Sequence, residues 1–237
     1  MRTMLMVSSA LVIGLSQIGY GVAQEDQGNK LSSLSEVTDE MLLEPSDGDW
    51  LHWRRTYNGW GYSPLEEINR DNVGDLSVAW SWSLTPGATE TTPIVHDGVL
   101  FVHNNLDKVQ ALDGATGDLL WEYVRDLPQE VIDAGNGNSA TKRNMSIYQD
   151  MLILATSDTH IIALDVATGQ VVWDVTPAEW TDGFRYSSGP LIADGMVKAN
   201  HAASPPSRPL PRRMPSAKPT WLEAGPGKNW QSATTSA

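Results

Sequence analysis

One eleven-residue phrase occurs twice in the chain. It reads Ala111-Leu112-Asp113-Gly114-Ala115-Thr116-Gly117-Asp118-Leu119-Leu120-Trp121 and, 52 positions later, Ala163-Leu164-Asp165-Val166-Ala167-Thr168-Gly169-Gln170-Val171-Val172-Trp173. The copies share seven identities, each with a structural task. The glycine supplies the positive φ of a tight hairpin. The aspartate accepts hydrogen bonds from the N–H groups of that turn. The tryptophan closes the following strand and is large enough to cover a neighbouring unit. A short strand is expected before each turn, at 109–112 and 160–164. A repeat of this period belongs to propellers and solenoids.

The repeat extends upstream. Pro93 to Val102 and Ser146 to Ala155 each read strand, Asp-containing turn, strand, at nearly the same offset from the phrase. Two successive hairpins make a four-stranded antiparallel sheet, one blade of a propeller. A third copy opens at Pro190-Leu191-Ile192-Ala193-Asp194-Gly195-Met196-Val197 and does not reach its own Trp phrase. The fold class is therefore all-β. Ten Trp against two Phe suit blades that dock through indoles.

The net charge of −13 argues against nucleic acid or an anionic membrane surface as partner. With no Cys there is no disulfide framework, thiolate metal site or Cys nucleophile. The five His show no metal-ligand spacing.

Residues 1–23 have the layout of a secretory signal peptide: Arg2, an apolar stretch, then Gly21-Val22-Ala23 before Gln24-Glu25-Asp26. The apolar run is interrupted by Ser8, Ser9, Ser16 and Gln17 and is short for a stable membrane span. Export to the periplasm is the expectation. Residues 24–48 form a polar lead, with a short helix expected over 35–43 capped by Ser35 or Thr38. A helical turn capped by Asn69 is expected over 68–76. It feeds a strand at 77–82, with Val78, Trp80 and Trp82 on one face.

Several phrases in this order carry a resemblance: Trp53 to Tyr57, Tyr62-Ser63-Pro64-Leu65, Ile68-Asn69, Asn72-Val73, Ala79-Trp80, then Glu90-Thr91-Thr92-Pro93 and the Trp phrases. The stretch 49–197 resembles the N-terminal part of the PQQ-dependent (quinoprotein) alcohol dehydrogenases. The resemblance implies an eight-bladed β-propeller holding pyrroloquinoline quinone and Ca²⁺, with only about the first three blades present. It also implies oxidation of a small alcohol by hydride transfer to PQQ, with cytochrome c or a quinone as electron acceptor.

Three residues match the family's cofactor contacts. Glu90, in the Glu-x-Thr-Pro phrase, would hydrogen-bond the quinone cofactor. Arg143 would reach the quinone oxygens, although Lys142 stands beside it. Ser187 would use its hydroxyl, where the family has Thr, for a cofactor carboxylate. The family's adjacent-cysteine disulfide falls at Gly137-Asn138 and is missing. Its Ca²⁺-ligating Glu would fall around Pro205, and its Asn ligand and catalytic Asp further on, so no metal ligand and no catalytic residue is assigned here.

Composition changes after residue 197. The last 40 residues hold six of the sixteen basic residues and seven of the fourteen prolines, with Glu223 the one acidic residue. The run Pro205 to Pro215 cannot sit in a ladder, because proline lacks the donor. Residues 198–237 read as an out-of-frame, disordered tail, so the 237-residue chain is expected to be an inactive fragment. A non-catalytic propeller that serves as a binding or assembly scaffold is the competing reading. Outer-membrane lipoproteins of that kind carry a lipobox Cys after the signal, which this chain lacks.

Overall fold

The structure is a computed structural model that describes residues 30–87, 89–133, 144–186 and 188–200, and the backbone of 202–203, 220–224 and 230–233. The signal-like segment 1–23 lies outside the described residues. Among those described, no helix is long and apolar enough to cross a membrane.

Three four-stranded antiparallel sheets follow one another. The first, in spatial order, is β1 (Ile94–His96), β2 (Val99–Asn104), β3 (Lys108–Asp113) and β4 (Leu119–Val124). The second is β5 (Ser146–Tyr148), β6 (Met151–Ala155), β7 (Ile161–Asp165) and β8 (Val171–Val175). Their registers coincide. Ala111 faces Trp121 and Ala163 faces Trp173, and the ladder slips at the same place in both, between Ala111 and Leu112 and between Ala163 and Leu164. The two tryptophans thus occupy equivalent strands, as the repeat requires.

The phrase folds alike in both blades. Gly117 donates to the Asp113 carbonyl and Gly169 to that of Asp165, each at 2.8 Å. Asp113 Oδ1 accepts from the N–H groups of Ala115 and Thr116, and Asp165 Oδ1 from those of Ala167 and Thr168. Both glycines sit at positive φ, +77° and +69°.

Blades meet through these turns. The Trp121 indole N–H donates to the Val166 carbonyl at 2.9 Å, and its ring lies where a side chain on Gly169 would begin, 2.6 Å from a Cβ placed there. The Trp80 indole N–H donates to the Gly114 carbonyl at 3.1 Å, and a Cβ on Gly117 would likewise meet its ring at 2.6 Å. Gly114 and Val166 are the same position of the repeat. The core lies where the blades stack: β6 is buried at all five positions, while β8, outermost in its sheet, has none fully buried.

The third sheet runs β10 (Leu191–Ala193), β11 (Met196–Ala199), β13 (Thr220–Ala224) and β14 (Trp230–Ala233). A two-stranded ladder joins β9 (Phe184–Arg185) to β12 (Ala202–Ala203). The expectation of a tail without structure is corrected here, because 220–224 and 230–233 complete the sheet begun by β10 and β11. Neither segment contains proline, so each can pair along its whole length. The run 205–215 lies outside the described residues.

Of three further expectations, two are corrected and one holds. The helix near the start spans only Asp39–Leu43, with Thr38 rather than Ser35 as its cap, accepting from Met41 N–H at 3.3 Å. Ser35 is taken up instead by Asp97. The turn expected from Asn69 is present: Val73 N–H donates to the Asn69 carbonyl at 2.9 Å and Asp71 N–H to its side-chain oxygen at 3.0 Å, as at a helix cap, and a 3-10 turn follows at Val73–Asp75. Residues 77–82 form no strand and pair with none among the described residues, and Val78 is exposed. A strand needs a partner edge, and β1 to β4 already form a complete blade.

Candidate functional site

The leading ends of β1, β5 and β10 come together, and each follows one of the residues singled out above. Thr92, two positions after Glu90, forms a parallel bridge with Asn144, which follows Arg143. Asn144 in turn reaches the third blade. Its Oδ1 accepts from Gly189 N–H at 3.2 Å, and its amide donates to the Pro190 carbonyl at 3.3 Å. The buried Ser146 hydroxyl also donates to the Pro190 carbonyl, at 2.6 Å. Approach is so close that a Cβ on Gly189 would overlap the Asn144 carbonyl. Only glycine fits there.

Glu90 is exposed at this end, in the loop before β1. Thr89 and Thr91 flank it, and their hydroxyl oxygens are buried with no hydrogen-bond partner among the described residues. Arg143 and Ser187 lie outside the described residues.

One wall of the site was not legible as such in the sequence. The aromatic leader turns back over the leading ends of β5 and β10, enclosing a cavity of about 210 Å³. His52, Trp53, Arg54 and Tyr57 line it from the leader; Asn144, Ser146 and Pro190 line it from the blades. Tyr57 O–H donates to the Ile192 carbonyl at 2.7 Å and its ring lies 4.1 Å from that of His52. His52 Nε2 donates to the Leu42 carbonyl at 3.1 Å. Burial pulls the His52 pKa down, against the pull of that carbonyl, so the ring is neutral at pH 7. Arg54 stacks over Trp53 at 4.8 Å and supplies a cation at the cavity.

Comparison with known proteins decides the family. The family model of the PQQ-type β-propeller domain of glucose, ethanol and alcohol dehydrogenases matches residues 50–174. The chain belongs to that family. Among the relatives of this propeller family, the dehydrogenase subunit of the quinone alcohol dehydrogenase of Gluconobacter oxydans is 34% identical over 83% of this chain. That of Komagataeibacter europaeus is 36% identical over 84%. In each case the chain spans about a quarter of the relative, 26%. Among solved structures, the quinohemoprotein alcohol dehydrogenase ADHIIG of Pseudomonas putida superposes with a TM-score of 0.64 at 30% identity. It covers 72% of this chain and 25% of its own. A europium-containing methanol dehydrogenase gives 0.64 at 27% identity, covering 70% and 30%. The fold is that of a partial quinoprotein β-propeller.

Proposed function

We propose that this chain forms the opening blades of a periplasmic PQQ-dependent alcohol dehydrogenase, and that the leading ends of β1, β5 and β10 are one side of its cofactor site. The observation that carries the reading is the chain of contacts from Thr92 through Asn144 to Gly189 and Pro190, which brings together the starts of β1, β5 and β10, the segments that follow the three family-matched positions in sequence. The buried, unpartnered hydroxyls of Thr89 and Thr91 fit a ligand rich in carboxylate and carbonyl oxygens, to which a hydroxyl can donate.

PQQ, when bound, supplies the acceptor for an alcohol hydride. This chain's residues would bind and orient it. The Glu90 carboxylate would accept a hydrogen bond from it. Arg143 would offer a positive charge toward oxygens that gain electron density during reduction. Ser187 would donate its hydroxyl to a carboxylate, and the cavity wall from His52 to Gly59 would limit water at the site. Ca²⁺, the proton-accepting carboxylate and the contacts to a cytochrome c or quinone acceptor belong to blades beyond these. The 237 residues alone therefore bind PQQ weakly and oxidise no small alcohol.

The test is a titration of the purified chain with PQQ in the presence of Ca²⁺, followed by quenching of tryptophan fluorescence. The substitution Glu90→Gln should weaken binding about tenfold, the loss of one charge-assisted hydrogen bond. Equal affinity of the two forms, or no quenching at millimolar PQQ, removes the cofactor reading. Reduction of an artificial dye by the unmodified chain with ethanol removes the claim of inactivity.

A further inference from the structure

A buried histidine outside the cofactor end holds the leader in place. His96, at the end of β1, is fully buried, yet both ring nitrogens face oxygen acceptors. Nδ1 lies 3.4 Å from Asp49 Oδ2. Nε2 lies 2.8 Å from the Ser35 carbonyl and 3.3 Å from Ser35 Oγ, whose own hydrogen goes to Asp97. Asp97 Oδ2 stands 3.4 Å from Nε2. A neutral imidazole has one N–H and one lone pair, so it would turn that lone pair on an oxygen at one side or the other. Only the doubly protonated ring donates to both.

The partners come from separate parts of the chain. Ser35 belongs to the lead, which bridges onto the second blade where Val37 pairs with Gln149. Asp49 begins the leader; its Oδ1 accepts from Asp97 N–H at 3.0 Å. Trp50 next pairs with Val95 in both directions, at 2.8 and 3.0 Å, and the cavity wall starts two residues on at His52. Asp49 and Asp97 are the charged groups that face His96 from these elements. The nearby cation, Lys30 beside Gly98, is paired with Asp113 at 2.5 Å.

We propose that His96, carried as an imidazolium, is a positioning residue: it pins Ser35 and Asp49 to the first blade and so seats the leader that walls the cavity. Its role at the cavity rests on the proposed cofactor site, but the pin does not. Burial works against the charge on His96, and the bonds to Asp49 and Ser35 and the charge of Asp97 outweigh it, raising the pKa. Burial likewise works against Asp49, and His96, Ser46 and the Asp97 N–H outweigh it, lowering that pKa. A raised histidine pKa gives a contribution complete below its ordinary value of 6.5 and lost as pH climbs through the folded value. A lowered aspartate pKa gives one present above the ordinary value of 3.8 and lost as pH falls through the folded value. The pin therefore holds between those two limits and releases on the alkaline side.

Hydrogen exchange of the full chain, followed by mass spectrometry from pH 5.5 to 8.5 and corrected for intrinsic exchange, tests this without cofactor. Peptides covering 35–59 should lose about tenfold in protection relative to peptides of β6 and β7, with a midpoint above that of an ordinary histidine. In His96→Gln that pH dependence should vanish, and in Asp49→Asn its midpoint should move down. A flat profile in the unmodified chain, or the same profile in His96→Gln, overturns the proposal. Should His96→Gln not fold, nitrogen-15 NMR of the unmodified chain decides. Protons on both His96 ring nitrogens at pH 6.5 support the pin, and a neutral ring overturns it. Failure of PQQ to bind touches neither readout.

Discussion

The first and second blades are built from the same phrase and dock in the same way, yet the indoles they receive come from different settings. Trp121 enters the second blade from β4, a strand paired along its length, and is 8% exposed. Trp80 enters the first blade from a segment that pairs with no strand among the described residues, and it stays half-buried. Even so, both donate to the same position of the turn and lie at the same distance from its glycine. Recognition between blades therefore resides in the indole and the Asp–Ala–Thr–Gly turn. The ladder behind the tryptophan adds burial, not specificity.

The sharpest way to break this comparison is to remove each indole. Trp121→Ala should cost about 4 kcal/mol, as a buried aromatic leaving a cavity does. Trp80→Ala should cost about 1.5 kcal/mol, in keeping with its partial burial. Urea denaturation measures both. Equal losses would mean that the unpaired segment is as firmly seated as β4.

That difference also marks what could be read from the sequence. The hairpins at 109–121 and 160–173 were legible because Asp, Thr and Gly act within three or four residues of one another. The fate of 77–82 was not, since a period-2 pattern states a strand's faces and says nothing about whether an edge awaits it. The pin at His96 was hidden for a related reason: Ser35 and Asp49 are 61 and 47 residues away from it. Proline density in the tail drew attention from two proline-free stretches that do pair. At the site, Glu90, Arg143 and Ser187 came from family likeness, while the contacts through Asn144 that gather their neighbours appear only in three dimensions.

A second test concerns the charge that spans the two blades. Arg125, just past β4, donates to Asp158 at 2.8 Å and to Asp174 at 2.6 Å. Asp158 is buried, and Asp174 also meets His160 at 2.5 Å. That cross-strand pair repeats Lys108–Glu122 of the first blade, at 3.3 Å. Burial opposes the charge on Arg125, and its two aspartates more than offset this, so its pKa rises. Arg125→Met should cost about 3 kcal/mol, mostly through the buried carboxylate left behind. Lys108→Met, in a more exposed pair, should cost less than about 1 kcal/mol. Thermal unfolding of the two variants checks the ratio.

The smallest effect is expected at the turns. Asp113→Ala and Asp165→Ala should each cost about 1 kcal/mol at neutral pH, the worth of the turn hydrogen bonds. Burial pushes the Asp113 pKa up, but Lys30 and the N–H groups of Ala115 and Thr116 outweigh it and hold it down. Its contribution is thus present above the ordinary value and fades as pH falls through the folded one. The gap between the unmodified chain and Asp113→Ala should close on acidification, as read by urea midpoints from pH 7 to pH 3. A gap that widens would mean that burial wins and the folded pKa of Asp113 lies above its ordinary value.

The indole joint has a consequence for synthesis. Trp121 closes on Val166, 45 residues further on, and Trp80 on Gly114, 34 further on. The wait between making a tryptophan and making its receptor is thus set by the repeat, not by the number of units to come. A chain leaving the ribosome at about 5–20 residues per second can seal each joint within seconds of the last. Assembly then runs in one direction, and a fault late in translation leaves the earlier joints already made.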